Sequence, residues 1–217
     1  MARRGWRDAV LASAWLLAAP GATSGWASEA VEAVAIRIQD YADSPPGTLE
    51  QAALQAARLL GTAGIQTRWL ICGPRLPATP SCGQRPAPCE LRLQILSARH
   101  GRSIAPASSL GFAVLPNDGE LGSLAGVLYE RVQREAAATI ATTPEVLGYV
   151  AAHEIAHLLL GSSVHPRSGI MAARYQPRDL DRAAQGQLGF TSQEAQRLRE
   201  GAWLRRACVV DSPETRP

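Results

Sequence analysis

His153 and His157 stand four residues apart, Glu154 directly follows the first, and His165 comes eight residues after the second. The chain has four histidines, and three of them fall in this one stretch. On a helix, positions i and i+4 lie one turn apart on the same face, so both imidazoles can reach a single point. Converging neutral imidazoles are ligands for a divalent cation, and zinc matches such nitrogen donors. Two imidazoles alone hold zinc poorly. Catalytic sites use three protein ligands and leave the fourth position open. His165 is the candidate third ligand. Gly161 suits the left-handed residue that turns a chain out of a helix, after which His165 can fold back. Glu154 lies about 100° round the helix from His153 and so stays off the ion. Its carboxylate can take a proton from a metal-activated water and pass it to a leaving amine.

The elements that must position these residues are legible around them. Thr143 is a candidate N-cap, with Pro144 at the first helical position and Glu145 in the first turn. Val146, Leu147, Val150, Ile155, Leu158 and Leu159 give this helix enough apolar surface to lie in a core. A Glu and two His on a buried helix are costly without a partner, and a cation supplies one. H-E-x-x-H also arises by chance on ordinary helices. The core pattern, the glycine stop and the third histidine set this instance apart. Upstream, Val34 to Tyr41 reads as a strand, and Thr48, as N-cap, opens a helix running to Leu60. Ile65 to Ile71, Glu90 to Leu96, Leu110 to Leu115 and Ala125 to Tyr129 read as further strands, and a last helix spans about Ser192 to Arg206. The order β-α-β-β-β-β-α-loop-α describes one α+β domain with a mixed sheet backed by helices.

His153, Glu154, His157, Gly161 and His165, followed by Ser168-Gly-Ile-Met171, resemble the metzincin clan of zinc endopeptidases, whose pattern is H-E-x-x-H-x-x-G-x-x-H with a downstream Met-turn. The segment is also similar to uncharacterised exported bacterial proteins of metallopeptidase type. The resemblance implies a twisted mixed sheet with a backing helix and the active-site helix. It also implies a small C-terminal subdomain holding the Met-turn and a final helix. Met171 would lie beneath the zinc. Leu110 to Pro116 looks like the matrixin edge strand that pairs with extended substrate, which implies substrate contacts at Gly111, Phe112, Ala113, Val114 and Leu115. The S1′ pocket would be walled by the active helix and Ala172 to Gln176. Two spacings depart from the pattern: Gly161 comes four residues after His157 rather than three, and His165 eight rather than six. The extra residue before Gly161 rotates the helix exit by about 100°. The extra residue after it can lengthen the turn to compensate. Asp179, Asp181 and Glu194 stand as alternative third ligands. Tyr175 is a packing residue, with an extra ligand or oxyanion donor as its other reading.

The rest of the chain sets the context. Its 217 residues suit one domain, and all 22 basic side chains are Arg. Without Lys, a P-loop is excluded. Arg3, Arg4 and Arg7, an apolar run from Ala9 to Ala19, and Gly25-Trp-Ala27 have the layout of a secretory signal peptide over residues 1–27. The mature domain would then span 28–210, with a disordered tail over 211–217. Removing the signal takes three Arg and one Asp from a net charge of +3, leaving about +1. That balance offers no basic field for nucleic acid or an anionic membrane. Four cysteines, Cys72, Cys82, Cys89 and Cys208, read as oxidised pairs in an exported protein, with Cys72 joined to Cys82 or Cys89 as the first expectation. No spacing among them matches structural zinc. His100 reads as a surface loop residue. The sequence thus points to a secreted or periplasmic zinc endopeptidase acting on peptides or proteins. A catalytically inactive zinc-stabilised binding module is the alternative, and a zinc hydrolase of another amide a weaker one.

Overall fold

A computed structural model describes residues 33–210, apart from 77, 78, 102, 103, 107, 118–120 and 174, and without the side chains of 101, 177 and 206–210. The expected signal segment 1–27 and tail 211–217 lie outside the described residues. Five strands form one mixed sheet: β1 (Val34–Tyr41), β2 (Thr67–Cys72), β3 (Leu91–Leu96), β4 (Gly111–Val114) and β5 (Leu124–Leu128). Their order is β2-β1-β3-β5-β4, so β4 is outermost. The first three ladders are parallel, and β4 runs antiparallel to β5.

The alternation of β3 has a direct consequence. Leu91, Leu93 and Ile95 are buried, together with Ile36 and Ile38 of the neighbouring strand. Full burial of such a side chain stabilises by about 1.5–3 kcal/mol. β1 also buries charged side chains, Arg37 and Asp40, with Arg37 on the face opposite Ile36 and Ile38. Arg37 of β1 is buried because its guanidinium meets the Glu90 carboxylate and donates to the carbonyls of Ser81 (3.1 Å) and Gln84 (2.9 Å). It thereby ties the loop after β2 to the sheet. Within that loop Cys72 is joined to Cys82, one of the two expected partners. Cys89 is disulfide-bonded too, and the side chain of Cys208 lies outside the described residues.

Helix α1 (Thr48–Thr62) follows β1, and α2 (Pro80–Gly83) and α3 (Ala98–Gly101) are single turns. Helix α4 (Tyr129–Ala136) leaves β5 directly, and α5 (Thr143–Leu160) is the central helix. It packs along α1 and against β3, β5 and β4. Helices α6 (Pro177–Ala184) and α7 (Ser192–Val210) complete the described residues. No helix among the described residues is long and apolar enough to cross a membrane.

Two helix starts differ from expectation by one residue. Gly47, not Thr48, is the N-cap of α1, because its carbonyl already accepts from Gln51 at 3.1 Å. Thr142, not Thr143, caps α5: a capping box needs its acid three residues on, and Glu145 accepts from the Thr142 amide at 2.7 Å. Strand ends also shift. β2 begins at Thr67 and reaches Cys72, β4 stops short of Leu115, and β5 yields Tyr129 to α4.

Candidate metal centre

The third and fourth turns of α5 carry His153, Glu154 and His157, all buried. The helix ends at Leu160, and Gly161 takes the left-handed conformation, φ 57° and ψ 31°, that redirects the chain. Ser162 to Val164 then form a loop that returns His165 to the helix face. Nε2 of His157 lies 2.9 Å from Nε2 of His153 and 3.0 Å from Nε2 of His165. Metal-binding atoms of these three residues all lie within 4.8 Å of one another, the one such group of three among the described residues.

The other ring nitrogens decide what this cluster can hold. Nδ1 of His153 is 2.7 Å from the Ile170 carbonyl, and Nδ1 of His157 is 2.6 Å from the Ser162 carbonyl. A carbonyl only accepts, so each Nδ1 carries the proton and donates it. Each Nε2 is then a bare lone pair. Two lone pairs 2.9 Å apart repel unless something positive lies between them. A protonated ring does not fill that need, because burial pushes the His153 imidazole down to about 3, helped by its neighbour His157. Burial also lowers His157 and His165. The donor set therefore fits a divalent cation such as zinc, which takes neutral imidazoles and is oriented by such carbonyl bonds. The observed separations are close to the ~3.3 Å that nitrogen–zinc bonds of about 2.0–2.1 Å give around a tetrahedral ion.

Glu154 is absent from the converging group and lines the same cavity. Burial alone raises its carboxyl to about 8. Its side chain lies against Gly111 at the start of β4. A Cβ added at Gly111 would sit 2.7 Å from Glu154 Oε1 and 2.8 Å from the Gly126 carbonyl, so only glycine leaves the carboxylate its place. The cavity, about 370 Å³, is also lined by Phe112, Ala113 and Leu115. Val114 is exposed and outside that lining. Ala172, Ala173 and Tyr175 line the cavity as well.

Met171 is fully buried in the turn that begins at Gly169, next to the residue whose carbonyl holds His153. The alternative carboxylates are occupied elsewhere. Asp179 accepts from the Gln176 amide at the start of α6, Asp181 from the Ile140 amide, and Glu194 from Thr191 at the start of α7. His100 sits on the exposed α3 with Nδ1 3.0 Å from the Ser97 hydroxyl, apart from the cluster. Tyr175 does more than pack. Its hydroxyl donates to the Ile170 carbonyl and lies 2.9 Å from His153 Nδ1, so it is a second partner of a converging histidine.

No protein-family model matches the sequence, and no curated protein matches it either. Among solved structures, the fold is similar to that of archaemetzincin from Methanopyrus kandleri, with a TM-score of 0.52 and 14% identity. The match covers 79% of this chain and 96% of that one. At that identity the likeness is one of fold.

Proposed function

We propose that the chain is an exported zinc-dependent endopeptidase. One observation carries the reading: two imidazole nitrogens, bared by their own carbonyl bonds, lie 2.9 Å apart beside a third imidazole, in a cleft that also holds a buried carboxylate. The likeness in fold to a protein named an archaemetzincin supports it. So does the motif from His153 to Met171.

Zinc held there supplies positive charge that acidifies a water and polarises the scissile carbonyl. The chain's own residues do the rest. His153, His157 and His165 hold the ion through Nε2, with Gly161 turning the chain so that the third ring returns. Glu154 takes the proton from the attacking water and delivers it to the departing amine. Met171, buried in the turn beside the Ile170 carbonyl that holds His153, supports the centre. The outer strand β4 has no strand partner on its far edge among the described residues. An extended peptide can add there through main-chain bonds along Gly111, Phe112, Ala113, Val114 and Leu115.

Export rests on the N-terminal sequence, and the Cys72–Cys82 disulfide is compatible with a secreted or periplasmic location. The partners are peptide or protein substrates, and the near-neutral mature charge argues against nucleic acid and membrane surfaces.

Purified mature protein is expected to carry an equimolar amount of zinc and to cleave casein. A chelator should stop cleavage and added zinc restore it. Metal bound without turnover would favour the binding module instead. A second variant tests the histidine shell. Tyr175→Phe keeps the ring and removes the hydroxyl from His153, and is expected to weaken zinc binding about tenfold in competition with a chromogenic chelator. Unchanged affinity would reduce Tyr175 to packing.

A further inference from the structure

Among the described residues, Glu135 is the one carboxylate lining the cleft besides Glu154, and no Arg is in that lining. It sits on α4, whose buried stripe is Tyr129, Val132 and Ala136. Three residues on from Val132, Glu135 falls at the border of that stripe, half-buried, where a side chain can reach sideways into the cleft.

Its natural partner on the helix is Arg131, one turn earlier, in the i, i+4 relation that pairs opposite charges. That pair does not form. The Arg131 guanidinium donates instead to the carbonyls of Pro106 and Ser109 (2.7 Å to the latter). Those two carbonyls belong to the loop that delivers Ser108, Ser109 and Leu110 to the cleft wall. Arg131 thus fixes the loop and leaves its helical neighbour unpaired. Among the described residues Glu135 has no side-chain hydrogen bond or ion pair, and apart from Glu154 and the histidines the rest of the described lining is apolar or neutral polar.

A half-buried carboxylate without a partner, in a cleft whose described lining carries no Arg or Lys and whose one expected ion is held by the three histidines, attracts a positive group brought by the ligand. We propose that Glu135 is a specificity-determining residue, and that the cleft prefers peptides carrying a Lys or Arg side chain next to the bond to be cut. This rests on the peptidase reading above and names its substrate class.

The test compares matched peptides with Lys, Glu or norleucine scanned across the positions flanking the cut, using wild-type, Glu135→Gln and Glu135→Lys proteins loaded with zinc. For wild type, kcat/KM should favour Lys at one position. Glu135→Gln should lower the Lys-to-norleucine ratio roughly tenfold, and Glu135→Lys should invert it in favour of a Glu peptide. The same peptides are titrated by fluorescence anisotropy against zinc-loaded Glu154→Gln protein, with and without each Glu135 change. If peptides are cut but the ratio is the same in all three proteins, the specificity inference fails while the peptidase reading stands. If nothing is cut and Lys peptides still bind in a Glu135-dependent way, the peptidase reading fails and the recognition of basic side chains survives. Charge-independent binding without cleavage overturns both.

Discussion

Replacing Glu154 with Gln is expected to lower casein cleavage about a thousandfold or more, while the purified protein keeps its zinc. Gln matches Glu in shape, so the packing against Gly111 persists. What disappears is the capacity to accept a proton from water and carry it to the amine. The three imidazoles are untouched, because Glu154 is outside their converging group. The folding control also has a definite sign. Burial raises this carboxyl from its ordinary 4.5 to about 8, so in the metal-free fold the acid loses stability as pH climbs through that window. Gln removes the penalty. The metal-free variant should therefore melt at no lower temperature than the metal-free parent at about pH 8, which makes lost activity a loss of chemistry and not of fold. Cleavage at the parent rate would refute the assignment of Glu154. Loss of zinc together with activity would mean that the carboxylate helps to hold the ion.

The parts of this centre that were legible in the sequence are those written in side chains at regular spacing. Strands β1 and β3 alternate apolar and polar residues and appear where that period predicts them. The turn at Gly161 and the return of His165 follow from a helix that runs one residue longer and a loop that is one residue longer. The carbonyls of Ile170 and Ser162 that fix the histidine tautomers have no sequence signature, since every residue carries one. Helix α4 was hidden for another reason. Its eight residues bury only Tyr129, Val132 and Ala136, too few to stand out from the preceding strand, and Glu135 was missed with it. Tyr175 was visible as a residue near the site. Its bond to His153 depends on how the turn after Gly169 folds back, which is a tertiary fact.

The crossing of α7 over the end of α5 is tertiary in the same sense, and it carries the second large effect. Gly201→Ala is expected to destabilise the protein by several kcal/mol, as overpacking at a rigid contact does. Gly201 sits inside a helix, where Ala is ordinarily favoured over Gly by about 1 kcal/mol. Helix propensity and packing therefore predict opposite signs. Packing wins on distance, because a Cβ at this position would fall on the Leu159 carbonyl oxygen and lie 2.8 Å from its carbon. These are backbone atoms of the last turn of α5, which cannot rotate aside. One turn further along α7, the buried Arg205 donates to the Leu158 carbonyl (3.2 Å) and to that of Gly122. It satisfies a helix-end carbonyl that has no partner within its own helix. Burial holds this guanidinium down to about 10, still charged at neutral pH. The two contacts clamp the turn between His157 and Gly161, so moving α7 outward also moves the point from which the chain returns to His165. Zinc affinity should fall together with the urea midpoint in Gly201→Ala. Trp203→Ala, an exposed position two residues away on the same helix, should change neither by more than about 0.5 kcal/mol. A Gly201→Ala midpoint equal to or above the parent's would mean that the helices are not in contact at this position, and that the end of α5 is held by Gly161 alone.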